Sequence, residues 1–319
     1  MDLFICTSVL LMTVTVEYGH TLNVEGLVPS VFTPFDEYGQ LNLSVIPQYA
    51  KYLKENDVNG VLVAGTASEG PSLSRDERKS LLDAWVKAAR AFGLKVVMQV
   101  GGLPLPEVLE LARYSETAGP DAILTLPELY YKPANVEALV HYVKLVSDAA
   151  PSLPILYYDH PSLSGVKLNM AKFFNLATKS IPNFKGIKCN FLTAVDISAY
   201  NDVEADQRIF MASHATMASA YMMGYNSSMT TISNLFPGMM LDIESAVLQN
   251  DVRKARELQQ KLNKRVAIIT EQGEYVPFVK AAMQYISGVK VGTTREPLTR
   301  VSEEQITILH EKIQEIISK

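Results

Sequence analysis

The sequence is poor in the residues that build cross-links and metal sites. Of 319 residues only two are cysteine, Cys6 and Cys189, and five are histidine. Two thiols exclude a disulfide-stapled scaffold, and no Cys/His group has zinc-ligand spacing. Charge of one sign is scarce as well. There are 29 Lys+Arg against 34 Asp+Glu, a net charge of −5, and no Lys/Arg run. A mildly acidic chain without a basic patch fits neither nucleic acid nor an anionic membrane surface. No apolar run reaches the roughly 20 residues that a membrane-crossing helix needs. What the chain does have is apolar content, 48% hydrophobic against 20% charged, which excludes wholesale disorder. Its length fits two ordinary domains or one large α/β barrel of about 250 residues with additions.

One apolar run stands apart, the 14 residues 3–16, LFICTSVLLMTVTV. Its length fits a signal-peptide core, with Gly19–His20 as the nearest candidate cut. Against that, Asp2 stands where Lys or Arg is expected, and no small-residue cleavage site follows. The other reading is an added strand or a misassigned start codon. Residues 1–23 are therefore set apart as an apolar extension. A cytoplasmic protein is expected, or a secreted one if residues 1–19 are removed. In a secreted chain the sequons at Asn42 and Asn226 would be open to glycosylation.

From Leu27 onward, short β-branched runs alternate with longer helical patterns. Strands are expected at 28–32, 58–64, 95–100, 121–125, 154–158, 184–188, 208–212 and 227–231. Each is four to seven residues long and mostly apolar without strict alternation, as strands buried on both faces read. Helical patterns fall at 44–55, 74–92, 104–118, 134–150, 169–180, 192–200 and 214–223, the second opened by a capping box, Ser74 to Glu77. Three further helical stretches follow near 235–249, 251–272 and 302–318, with one more at 274–287. Eight strand–helix alternations predict an α/β fold, a (β/α)8 TIM barrel with a C-terminal helical extension. The barrel core spans 24–234, and 235–319 holds the last barrel helix and the extension. A doubly wound open sheet would need a Gly-rich loop after its first strand, which VPSVFTPFDEYG lacks.

Active groups in such a barrel project from the C-terminal ends of strands. Those ends carry Thr33, the run Gly65–Gly70, Tyr158, Lys188, and Ser213 with His214. A lysine held in an apolar barrel loses pKa by desolvation, which leaves a neutral amine able to attack carbonyls. The competing reading of Lys188 is a strand-end lysine reaching solvent. Tyr157 and Tyr158 close a strand, so one of them points inward. A buried phenol there either moves protons or fills a barrel layer. Thr66 and Ser68 sit in a glycine-flanked loop whose N–H groups and hydroxyls suit a carboxylate.

These residues together resemble the pyruvate-dependent class I aldolases, the dihydrodipicolinate synthase and N-acetylneuraminate lyase group. The resemblance covers residues 24–318. It rests on Phe32-Thr33-Pro34-Phe35, on Gly65-Thr66-Ala67-Ser68-Glu69-Gly70 and on Leu73-Ser74 with Glu77-Arg78. It rests also on Tyr158 through Val166, on Gly186-Ile187-Lys188, and on Ser287-Gly288 followed by Arg295-x-Pro297-Leu298. Leu163 stands where the dihydrodipicolinate branch carries an arginine, so the animal sialate-lyase branch is the closer match. The resemblance implies that Lys188 forms a Schiff base with a 2-keto acid, that Tyr158 shuttles the C4 hydroxyl proton, and that Thr66 with neighbouring N–H groups holds the carboxylate. It implies a homotetramer and a reaction that needs no metal or diffusible cofactor.

The chain also departs from the pattern. Ala67 removes a hydroxyl from the carboxylate pocket, and Ser68 replaces a glycine. Ala212-Ser213-His214-Ala215 stands where sialate lyases show G-x-D-E, so both sugar-binding acids are replaced. Met229-Thr230-Thr231 replaces G-S-T. A tyrosine lent by a neighbouring subunit corresponds to Tyr130 or Tyr131. The expected substrate pocket thus comprises Thr66, Ala67, Ser68, Ala212, His214, Ala215, Thr230 and Tyr130. Two functions stay open at this level. One is a lyase cleaving N-acetylneuraminate or a related 2-keto-3-deoxy sugar acid. The other is a weak or silent barrel that binds a ligand or partner.

Overall fold

A computed structural model describes residues 21–317; residues 1–20 of the apolar extension, with Cys6, lie outside them. Helix α1 (Ile46–Glu55) precedes strand β1 (Gly60–Val63). Helix α2 (Arg75–Phe92) leads to β2 (Lys95–Gln99), α3 (Leu105–Ala118) to β3 (Ala122–Thr125), and α4 (Val136–Ala149) to β4 (Ile155–Tyr158). A single turn, α5 (Pro161–Ser164), and then α6 (Met170–Ser180) lead to β5 (Phe184–Cys189), and α7 (Phe191–Tyr200) leads to β6 (Arg208–Met211). Helices α8 (Met217–Met222), α9 (Pro237–Leu248), α10 (Val252–Thr270), α11 (Tyr275–Ser287) and α12 (Glu303–Ile317) complete the described chain. Among the described residues no helix is long and apolar enough to cross a membrane.

The six strands form one parallel sheet in the order β1-β2-β3-β4-β5-β6. Their residues are buried on both faces, which is why β1 (GVLV) and β3 (AILT) read as unbroken apolar runs. The capping box at the start of α2 is present, with the Ser74 hydroxyl accepting from the Glu77 N–H. Gly186 bends β5. Its φ is 149°, and a Cβ there would strike the Arg208 carbonyl oxygen, so no other residue fits.

Two of the eight expected strands are not regular strands. Segments 28–32 and 227–231 contribute single parallel bridges, Leu27 with Ser228, Ser30 with Leu62, and Met211 with Ser228. Pro29 has no N–H to give a ladder, and the second segment runs straight into a 3-10 turn, Thr231–Asn234. The bridges still join both segments to the sheet. Val28 N–H donates to the Ser228 carbonyl at 2.9 Å and Val31 N–H to the Leu62 carbonyl at 3.1 Å. The Asn234 amide donates to the Ser30 carbonyl at 2.9 Å and accepts from the Tyr49 hydroxyl at 2.7 Å.

Apolar side chains form two layers. One lies between sheet and helices and includes Trp85, Tyr157, Phe173 and Phe184. The other lies on the opposite face of the sheet, with Val28, Leu62, Val97, Leu124, Leu156 and Phe210 joined by Tyr158 and Met229. Each fully buried large side chain contributes about 1.5–3 kcal/mol. Tyr157 and Tyr158 go to opposite layers, as consecutive strand residues must.

Candidate active site

The C-terminal ends of the strands converge on a cavity of about 590 Å3. Thr66 and Ala67 enter it from the loop after β1, Tyr158 from β4, Lys188 from β5, Ala212 and His214 from the loop after β6, and Thr230 from the second bridged segment. The strand register sets the centre, because Tyr158 pairs with Lys188 and Lys188 with Phe210. Lys185 lies on the outer side, 2.5 Å from Asp206.

Lys188 is only 2% exposed. Burial pulls its amine down to about 7, so a large fraction is neutral near neutral pH and able to add to a carbonyl. Its Nζ lies 4.0 Å from the centre of the Tyr158 ring. Burial pushes the Tyr158 phenol up to about 12, partly offset by the Thr66 side chain that contacts it. The phenol therefore carries its proton at neutral pH and can donate it.

The loop from Ala64 to Gly70 is held from several directions. The Arg78 guanidinium donates to the Gly70 carbonyl at 2.7 and 3.1 Å and to the Gly101 carbonyl at 2.9 Å, which ties the loops after β1 and β2 together. The Thr33 hydroxyl donates to the Ser68 carbonyl at 2.6 Å. Among the described residues the N–H groups of Thr66 and Ala67 have no hydrogen-bond acceptor. Those two donors and the ammonium form of Lys188 suit a carboxylate next to a ketone.

Three expected pocket residues lie elsewhere. Ser68 is fully buried and turns its hydroxyl to the Val31 carbonyl, so it braces the loop. Ala215 is exposed and does not line the cavity, because Ser213 caps the 3-10 turn His214–Thr216 and carries position 215 outward. Tyr130 and Tyr131 are each 83% exposed and stack edge to face at 5.0 Å. They line a separate apolar groove with Leu103, Pro104 and Leu145.

His160, Ser162, Leu163 and Leu298, which the sequence motifs include, belong to the wall, and Ser30, Glu274 and Tyr275, which no sequence signal marks, belong to it too. Glu274 and Tyr275 stand at the start of α11, which the sequence places among the last helix and C-terminal extension; the tertiary fold brings its start to the mouth. Burial raises the Tyr275 phenol, which contacts the Thr231 side chain and feels Tyr158. His160 packs 5.3 Å from the Tyr158 ring, with its Nδ1 3.0 Å from the Ser162 hydroxyl. Burial first, then the charge of Lys188, lowers His160. Burial pushes His214 down to about 4, so the outer wall presents neutral imidazole. Among the described residues Glu274 is the single carboxylate in the lining.

Comparisons with known proteins give the family of the chain. A model of the dihydrodipicolinate synthetase family matches residues 23–316. N-acetylneuraminate lyase A of Xenopus laevis is 32% identical over 276 residues, 86% of this chain and 90% of that protein. N-acetylneuraminate lyase of Homo sapiens is 32% identical over 284 residues, 88% of this chain and 89% of its own length. The structure of Proteus mirabilis N-acetylneuraminate lyase superposes with a TM-score of 0.86 at 30% identity, covering 92% of this chain and 98% of that one. With the family model spanning nearly all described residues, and relatives matched along most of both lengths, the chain belongs to the dihydrodipicolinate synthetase family.

Proposed function

We propose that the protein is a Schiff-base-forming carbon–carbon lyase that cleaves N-acetylneuraminate, or a related 2-keto-3-deoxy sugar acid, to pyruvate and N-acetylmannosamine or the corresponding aldehyde. The observation that carries this reading is the buried Lys188 amine, held near neutrality 4.0 Å from the Tyr158 ring. The names of the relatives from Xenopus laevis, Homo sapiens and Proteus mirabilis support it.

The chemistry follows from the side chains. The neutral Lys188 amine adds to the C2 ketone and water leaves, giving a protonated imine. Tyr158 takes the C4 hydroxyl proton as its own passes through the Thr66 hydroxyl to the water released in imine formation, the proton that C3 later takes up. The new cation beside its ring favours the phenolate in that exchange. The C3–C4 bond then breaks, its electron pair moves into the imine, and a neutral enamine and an aldehyde result. Protonation at C3 and addition of water release pyruvate and restore Lys188. The Thr66 hydroxyl and the N–H groups of Thr66 and Ala67 hold the carboxylate, and Ala212, His214 and Thr230 face the tail.

The bridges between segments 26–31 and 227–229 support a sheet closed into an eight-stranded barrel, with residues 24–234 as its core and 235–319 as the last helix and extension. The exposed Tyr130–Tyr131 pair supports a homotetramer in which this loop meets a neighbour. The reading takes the protein as cytoplasmic; removal of residues 1–19 during secretion is the alternative that fractionation decides. Borohydride added with pyruvate tests the core of the reading: a stable adduct on Lys188, and pyruvate release from N-acetylneuraminate, are expected. No adduct and no release would leave a barrel that only binds a ligand or partner.

A further inference from the structure

The turn that carries Thr66 and Ala67 is bracketed by two non-glycine residues in the left-handed region, Ala64 at φ 56° and Glu69 at φ 57°. Residues with a Cβ adopt that conformation only when their surroundings impose it. At Glu69 the surroundings are specific. Its carboxylate accepts from Lys280 Nζ at 2.6 Å and from the Arg295 N–H at 2.7 Å. Both side chains of the Lys280–Glu69 pair are fully buried. The Lys280 ammonium and the Arg295 guanidinium each sit 4.3 Å from the centre of the Phe35 ring.

Lys280 belongs to α11, whose first residues, Tyr275 to Pro277, line the active cavity. One helix therefore forms part of the mouth and, 211 residues along the chain from Glu69, grips the turn. A buried ion pair is a weak source of stability, since desolvation offsets most of the attraction. An apolar pair of similar volume would hold the fold about as well. It would not fix the direction of the Glu69 backbone.

We infer that Lys280 and Glu69 are positioning residues. Their pair holds the turn so that Thr66 meets the Tyr158 phenol and the Thr66 and Ala67 N–H groups face a keto-acid carboxylate. Neither residue lies against the substrate, and the inference rests on the reading of this turn as the carboxylate seat.

The test is carboxylate-dependent imine formation in the full chain. Borohydride trapping on Lys188 is titrated with pyruvate and, separately, with acetone, which has the ketone and no carboxylate. In Lys280→Met, half-maximal trapping is expected to need about tenfold more pyruvate, while acetone trapping changes by less than about twofold. Lys280→Arg should restore most of the pyruvate response, because it keeps the charge and a donor to Glu69. If Lys280→Met does not fold, the double variant Glu69→Gln plus Lys280→Met, which buries no unpaired charge, is expected to show the same selective loss. Equal changes toward both ketones, or none, in any folded variant would overturn the positioning role and leave the Schiff-base reading intact. A wild-type chain that traps neither compound would overturn both.

Discussion

Lys188 and Tyr158 are register partners on adjacent parallel strands, and the amine of one lies 4.0 Å from the ring centre of the other. The ring packs against the amine, while the proposed reaction gives the hydroxyl the proton transfer. Tyr158→Phe separates the two. It should keep pyruvate trapping on Lys188 but lower kcat for cleavage by about 10²–10⁴-fold, the range for loss of a positioned proton carrier. Equal loss of trapping and cleavage would remove Tyr158 from the proton transfer.

The Lys188 amine, held at about 7, sets a pH dependence. Only the unprotonated amine adds to the ketone. Initial rates of pyruvate trapping should rise about tenfold per pH unit below that value and flatten above it. A rise that continues to pH 10, as for an ordinary lysine, would contradict the desolvated amine.

The same burial costs stability. The folded-state value of about 7 is below the ordinary lysine value of 10.5, so the unfolded chain binds more protons between these limits and stability rises with pH across that window. Below about pH 7 the cost of burying the ammonium is fully present. Lys188→Met should therefore abolish trapping and raise Tm at pH 6 by several degrees, about 2–4 °C for each kcal/mol recovered. The gain should shrink toward pH 10. Thermal melts at the two pH values check it; a lower Tm at pH 6 would contradict the account.

At the outer wall, His214 faces the cavity and Ala215 does not. A charge-assisted bond from a sugar hydroxyl to a carboxylate contributes about 1.5–3 kcal/mol, or roughly 10–150-fold in affinity. His214→Asp should lower KM for N-acetylneuraminate within that range. Adding Ala215→Glu should change little further, since that position points outward. Steady-state kinetics on the single and double variants decide it, and a gain that needs position 215 would mean that the loop turns inward when substrate binds.

Among the described residues Glu274 is the single carboxylate of the lining, which on the proposed reading accepts from the hydroxylated tail. Glu274→Gln should raise KM for the intact sugar acid by about tenfold while leaving pyruvate trapping unchanged. A change in trapping would place Glu274 near the imine instead.

Much of this site can be read from strand ends. Lys188, Tyr158, Thr66 and His214 are found by asking which residue follows each apolar run, because a parallel sheet collects those positions along one edge. The motif residues Ser74, Glu77 and Arg78 are different. Their signal is strong, yet they cap a helix, pair with Arg295 at 2.8 and 2.9 Å and tie two loops. Ser68 looks like a ligand in the sequence because a hydroxyl in a glycine-flanked loop looks available; its partner, the Val31 carbonyl, is 37 residues away. Tyr275 and Glu274 were invisible because no local pattern states where a late helix packs. Segments 28–32 and 227–231 form bridges and no regular strands, because apolar and β-branched content predicts an extended chain, not a ladder.

The seam between those two segments also sets an order in time. Gly26 meets its partner Ser227 across 201 residues. At a synthesis rate of about 5–20 residues per second, the first segment waits roughly 10–40 s for that partner to be made. During that interval Leu27 and Val28, both buried in the finished protein, lack the Ser228 strand partner that they have there. The growing chain thus carries an apolar edge without its final partner through most of its synthesis.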